Sequence, residues 1–385
     1  MNITFLIGNG FDIQCGLKSS YIDFYRYILK EKYNINIEEL GKDSKQIESS
    51  IDNLIYLEIY RNIDNLDNWA DLEMSLGALT KDLHSKNKDS SDVASNFLHS
   101  YEELSMDLSA YLTKIQIQDK VNIDDDFSNE LFITMDNFFA NCLDQESEAI
   151  RSKLTNNRSN LTYNFISFNY TNTLEVIFDN CKLKSKNNIF FNPFTQTLNP
   201  NVIHVHGKVD RFLTLGLNDV SQLAVNFFDP DDVNDLLKPE TLIASRDNMQ
   251  RNAEKMIDTS GIIVIFGMSL GATDKYWWER IANWLLKNKE RKLIIHHYEP
   301  NPSMVLPRTV RRRRVKRENN FISHLTNLDL SSDNISQLKK QMYIISGNNS
   351  ILNIDLKKYL MALENNHSNI VEFDNKELKL TDVAT

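Results

Sequence analysis

Apolar positions along the chain follow two periods. Short continuous runs occur at Ile3–Ile7, Phe165–Phe168, Val202–His206, Gly261–Phe266 and Lys292–Tyr298, and each reads as a buried strand. The first run stops at Gly8-Asn9-Gly10, a tight turn. Elsewhere the spacing is helical. From Ser20 to Lys32, Tyr21, Phe24, Tyr25 and Ile28 share one face. Residues 46–160 carry almost no glycine and no proline. Within them Trp69, Leu72, Leu76, Leu79 and Leu83 form one amphipathic stripe, and Leu98, Tyr101, Leu104, Leu108 and Leu112 form the next. Helical segments at 172–179, 247–257 and 273–287 separate the later strands. Strands alternating with helices predict an α/β fold, a mostly parallel sheet with helices on both faces. The expected organisation is a discontinuous α/β core at 1–45 and 161–345, a helical insertion or cap at 46–160, and a C-terminal helix and tail at 346–385. The Lys/Arg-rich residues 308–317 read as an exposed loop.

Composition narrows the class. The chain has 385 residues, 41% of them hydrophobic, enough to bury a large core. With 43 basic and 53 acidic side chains the net charge is −10. A nucleic acid is therefore not expected as the main ligand, although a local basic patch is compatible with that balance. The three cysteines, Cys15, Cys142 and Cys181, form no CxxC pair, which fits a reducing cytoplasm and argues against a disulfide framework or a zinc module. No run approaches a membrane span, so a cytoplasmic location without membrane attachment is the expectation.

Five motifs carry candidate chemistry. Gly8-Asn9-Gly10-Phe11-Asp12, with Gly16-Leu17 beyond it, is a glycine turn between a strand and a helix. Such a turn lets backbone N–H groups approach a pyrophosphate, or serves only as a βα connection with glycine at positive φ. It is neither a dinucleotide fingerprint nor a P-loop, because Ile13 replaces the third glycine and Leu17 separates Gly16 from Lys18. Phe168-Asn169-Tyr170-Thr171 ends a strand, where Asn169 and Thr171 either face a ligand crevice or cap a helix. His204 and His206, two apart, share a strand face. A cleft acid or base suits them better than a metal pair, since no third ligand accompanies them. Gly267-Met268-Ser269-Leu270-Gly271 matches a nucleophile elbow, with Asp274 and His296, His297 or His324 following in triad order; it equally suits a ribose or phosphate contact. Asp71 and Glu73, beside the Trp69–Leu83 stripe, read as a solvent-facing pair.

Taken in order, these motifs, with Trp69-x-Asp71-Leu72-Glu73 and with Thr273-Asp274 and Tyr276-Trp277, resemble the bacteriophage abortive-infection AbiH family. That family in turn resembles a distant branch of the sirtuin-like, Rossmann-like NAD-binding fold. The resemblance implies a site in which His206, Asn169 and Asp12 are catalytic and Gly8, Asn9, Gly10, Thr171, Gly267 and Ser269 hold the dinucleotide. Departures matter: Asp12 stands for a serine, Lys18 for a proline and Thr171 for an aspartate, and the paired CxxC zinc module is missing. Deacylation is therefore not expected, nor is zinc or any cofactor beyond NAD⁺ as substrate. The implied function is an anti-phage NAD⁺ glycohydrolase, with a phage-derived trigger and a homo-oligomer as further expectations. A non-catalytic nucleotide sensor and a hydrolase using Ser269 are the alternatives.

Overall fold

In a computed structural model the described residues are 1–36, 47–63, 71–87, 90–116, 125–181, 183–191, 193–209, 212–213, 215–217, 219–238, 248–299 and 307–347. Trp69, Asp247 and all of the tail beyond 347 lie outside them. The strands are β1 (Asn2–Ile7), β2 (Leu161–Ser167), β3 (Ser185–Asn187), β4 (Thr195–His204), β5 (Gly207–Lys208), β6 (Phe212–Leu213), β7 (Ser260–Phe266), β8 (Lys292–Tyr298) and β9 (Met342–Gly347). The helices are α1 (Gly10–Gln14), α2 (Tyr21–Tyr33), α3 (Leu54–Arg61), α4 (Leu72–Lys86), α5 (Ser91–Ile115), α6 (Asp125–Asp136), α7 (Asp144–Asn157), α8 (Thr173–Asn180), α9 (Pro230–Asp235), α10 (Met249–Asp258), α11 (Lys275–Leu286), α12 (Pro307–Ser323) and α13 (Ser332–Gln341).

Seven strands form one sheet in the order β3-β4-β2-β1-β7-β8-β9. All neighbours are parallel except the short edge strand β3 against β4. Strands β1, β2 and β7 are buried at nearly every position because both faces are covered, and the buried Thr4 hydroxyl is paired with that of Ser260 at 2.6 Å. On one face Phe5, Tyr163, Phe165, Val264 and Phe266 meet Phe127, Phe132, Phe138, Ile150 and Leu154 from α6, α7 and the turn between them. Phe5 and Phe165, paired across β1 and β2, stack at 5.2 Å between ring centroids. On the other face Leu6, Ile166, Ile263 and Ile265 meet Ile257 of α10 and Trp278, Ile281 and Trp284 of α11. The two tryptophans donate their indole N–H groups to the carbonyls of Gly271 and Ser260, so neither is buried unsatisfied.

Helices α2 to α5 form a third apolar cluster with residues such as Leu215, Leu217, Phe227 and Leu237. Between residues 47 and 157 no strand occurs among the described residues. Two expectations change. Residues 308–317 are not a loop: they lie in α12, where Arg314 binds Glu146 and Glu318 and Phe321 anchors the C-terminal turns in the core. A run of arginines is a strong helix former once acids from neighbouring elements neutralise part of it. Strand β9 was not anticipated at all, because Met342-Tyr343-Ile344-Ile345 is too short a run to separate from the end of a helix.

Candidate functional site

Register brings the motifs abreast. Ile7 pairs with Ser167 on one side and Phe266 on the other, and Ser167 pairs with His204. The carboxyl ends of β4, β2, β1 and β7 therefore deliver His204–His206, Phe168–Thr171, Gly8–Asp12 and Gly267 to one edge of the sheet. In open α/β sheets that edge is where ligands bind.

One group of side chains gathers on Asp12, in α1, whose burial pushes its carboxyl up to about 6. The Thr171 hydroxyl donates to one Asp12 oxygen. The Thr173 hydroxyl and the Asn169 amide also face the carboxylate and partly offset the effect of burial. Its second oxygen, Oδ1, has no well-formed hydrogen bond, and neither does Asn169 Oδ1. Both residues are buried, Asp12 at 1% and Asn169 at 6% exposure. The Asn169 amide nitrogen donates to the Gly8 carbonyl at 3.2 Å. His204 holds this group from behind. Its Nδ1 lies 2.8 Å from the Asn169 carbonyl and its Nε2 2.8 Å from Glu175 Oε1. Burial pushes Glu175 up, but His204 and Lys208 bring it down to about 2, so it stands as a carboxylate.

A second group gathers on His206. This residue lies in the turn after β4, and its Nε2 is 3.1 Å from Asp274 Oδ1, just before α11. Burial, reinforced by the Lys238 cation, keeps the imidazole below its usual range and hence neutral near pH 7. Burial raises Asp274, yet His206 and Lys238 together hold it below the usual carboxylate range. Lys238 is itself buried and pairs with Glu73 at 2.7 Å. Burial pushes Glu73 up to about 7, with Lys238 opposing the rise. Asp71 also contributes to the local field and caps α4 through the Met74 N–H.

Several expectations are revised by this geometry. Only His204 sits in the strand, and the two histidines turn to different carboxylates, so they do not converge as a metal pair. Among the described residues no set of three or more His, Cys, Asp or Glu side chains is arranged to hold a metal. Glu73 is not solvent-facing: α4 is buried on a second face, where Glu73 meets Lys238, Gly77 lies against Leu217 and Gln222, and Thr80 accepts from the Ala224 N–H. The Gly8 and Gly10 N–H groups donate to the carbonyls of Phe266 and Gly267, so in this arrangement they have no proton to offer a pyrophosphate. Neither glycine has positive φ. A Cβ on Gly10 would lie 2.8 Å from Gly267 Cα, so glycine is needed there for close approach of the two turns. Asn9 turns its side chain to Ser19, bracing the loop before α2. Thr171 is spent on Asp12. Ser269 is exposed and among the described residues no histidine is hydrogen-bonded to its hydroxyl, while His296 bonds the Phe138 carbonyl. The structure therefore assembles no serine triad from these residues.

Sequence reasoning missed Glu73, Lys238, Glu175 and the pairing role of Asp274. The Trp-x-Asp-Leu-Glu motif was the available signal for Glu73; nothing in the sequence marks Lys238.

The motifs brought together at this edge run from Gly8 to Asp274, and the bacteriophage abortive infection AbiH family model matches residues 4–297, most of the chain. The chain belongs to the AbiH family. No curated protein sequence matches it. The matched span holds every residue of the two groups, Glu73 and Lys238 included, and stops before α12, β9 and the tail. Membership of AbiH places the chain in phage abortive infection. No described helix is long and apolar enough to cross a membrane.

Proposed function

We propose that this AbiH protein acts in abortive infection by hydrolysing the nicotinamide–ribose bond of NAD⁺ at the carboxyl edge of the sheet. One observation carries the reading. A neutral His206, paired with an ionised Asp274, shares that edge with two buried side-chain oxygens, Asp12 Oδ1 and Asn169 Oδ1, that make no well-formed hydrogen bond. Buried acceptors without donors suit a ligand that brings hydroxyls or positive charge, and the departing nicotinamide leaves an electron-poor ribose. The strand order supports the reading too. Counting only the parallel strands, β4-β2-β1-β7-β8-β9 is the third, second, first, fourth, fifth and sixth, the order of dinucleotide-binding sheets.

In this reading the water oxygen bonds to ribose C1′ as the C–N bond breaks. The bonding electron pair leaves with the nicotinamide nitrogen and cancels its ring charge. The proton of the water passes to the His206–Asp274 pair and then to solvent. Asn169 and Asp12 stabilise the ribose as charge develops, and Gly267 and Ser269 face the distant half of the dinucleotide.

The test is nicotinamide release from NAD⁺ by purified protein, alone and with phage lysate. With the fold intact, Asp274→Asn should lose release by about 10²–10⁴-fold, the range of a proton-transfer partner, and Asn169→Ala by about 10²–10³-fold, the range of an electrostatic stabiliser. Unchanged release in both variants, or no release by wild type under any of these conditions while phage protection persists, overturns the reading.

A further inference from the structure

Helix α12 carries seven basic residues in seventeen, and its neighbours divide them into two sets. Arg314 and Arg313 turn inward or sideways, to Glu146 and Glu318 and to Glu299 respectively. Arg317 is half-buried and near His297; Arg308, Arg311, Arg312 and Lys316 are exposed and make no ion pair among the described residues. At 100° per residue these four fall on one face with Val315 and Asn319. Arg308, Arg312 and Lys316 form a single row with steps of about 6 Å, about 12 Å from first to last. The row continues onto α13, whose Lys339 Nζ donates to Asn319 Oδ1 at 2.9 Å and whose Lys340 is exposed.

Like charges at i and i+4 repel, so an unpaired row costs helix stability unless an anion meets it. Among the described residues no acidic side chain pairs with the row. The helix is also held rigidly, by Arg314 bridging Glu146 of α7 to Glu318 and by Phe321 in the core. We propose that the exposed face of α12, extended by α13, is a binding surface for the phosphate backbone of a polynucleotide. The evenly stepped row faces a polymer of evenly spaced phosphates, and guanidinium forks suit phosphate oxygens. A membrane surface fits less well: Val315 is the single exposed apolar side chain on the face, and Phe321 is turned inward, so no apolar stripe remains to insert. The surface is independent of the NAD⁺ reading, because it shares no residue with the sheet edge.

The experiment is fluorescence anisotropy of the full chain with labelled RNA and DNA oligonucleotides of about 20 nucleotides, single- and double-stranded. Wild type should bind, and log K should fall with log salt at a slope of about −3 for four phosphates. The combined Arg308→Glu, Arg312→Glu, Lys316→Glu variant should lose at least tenfold in affinity, with a flattened slope, an unchanged circular dichroism spectrum and a melting temperature no lower than that of wild type. Should that variant fail to fold, the corresponding triple glutamine variant serves, with the same loss expected. Equal binding by wild type and variant, no binding at about 50 mM salt, or tighter binding to phosphatidylserine vesicles or polyglutamate than to the oligonucleotides would overturn the proposal.

Discussion

At the scale of residues, the decisive feature is burial of charge beside the sheet edge. Asp12 is buried with hydroxyls and an amide rather than an ion-pair partner against it, and its pH dependence has a definite sign. A carboxyl whose folded pKa is raised, here from 3.8 to about 6, favours the folded state at low pH. That contribution is complete below about pH 4 and is lost as pH rises through 6. The shift of about two units corresponds to about 3 kcal/mol. The stability of Asp12→Asn relative to wild type should therefore rise by about that much between pH 4 and pH 8. Urea titrations across this range provide the measurement, and Glu73, present in both proteins, cancels. Glu73 also makes a different prediction. Removing it by Glu73→Ala leaves Lys238 charged and buried, a loss of about 3–5 kcal/mol, whereas Glu73→Leu with Lys238→Met should recover most of it. A double variant no more stable than the single one would show that the pair is not what holds α4 to the 217–238 segment.

At the scale of elements, two contacts set the geometry. The turns after β1 and β7 touch through glycine, and Gly267 adds a φ of +69°. A Cβ there would lie 2.7 Å from the Phe11 nitrogen. Gly267→Ala thus combines backbone strain with a clash and should cost about 2 kcal/mol or more. A chemical melt within 0.5 kcal/mol of wild type would contradict the packing described. On α12, Arg314 bonds two acids that are each 8% exposed, while Arg312 faces water. Arg314→Ala should lower stability by about 2 kcal/mol and Arg312→Ala by less than about 0.5. Denaturant midpoints distinguish the two, and the helix that the charge run concealed owes its existence to the first of them.

At the scale of the whole molecule, the described residues build three apolar clusters, one on each face of the sheet and one among the helices, that differ in exposure to opening. The sheet is covered on both faces, whereas α2 to α5 pack on one another and on residues 215–237. Backbone amides of Ile3–Ile7 and Ile262–Phe266 should exchange with deuterium last, since they open only with the sheet. Slower exchange in α4 than in β1 would reverse that hierarchy. Glu73 and Tyr170 join the two parts, because Glu73 pairs with Lys238 beside His206 and Tyr170 packs in the helical cluster 6.3 Å from the His206 ring. Opening of the helical cluster would therefore disturb the proposed site before it disturbed the sheet.

The amino-acid sequence by itself determined the class of fold and the five central strands, because strands buried on both faces carry short, largely apolar runs that end at glycine or polar residues. It also placed His206, Asn169 and Asp12 at strand ends or just beyond them, since short motifs at such ends are local. Tertiary structure alone decided what those residues touch. Strand register set Ile7, Ser167, His204 and Phe266 abreast, and so divided the two histidines between Glu175 and Asp274. It brought Glu73 inward across 165 residues to Lys238, which no local pattern records. Helix periodicity tells which face of α4 is most apolar; only the element packed on the adjacent face makes a carboxylate there part of the interior.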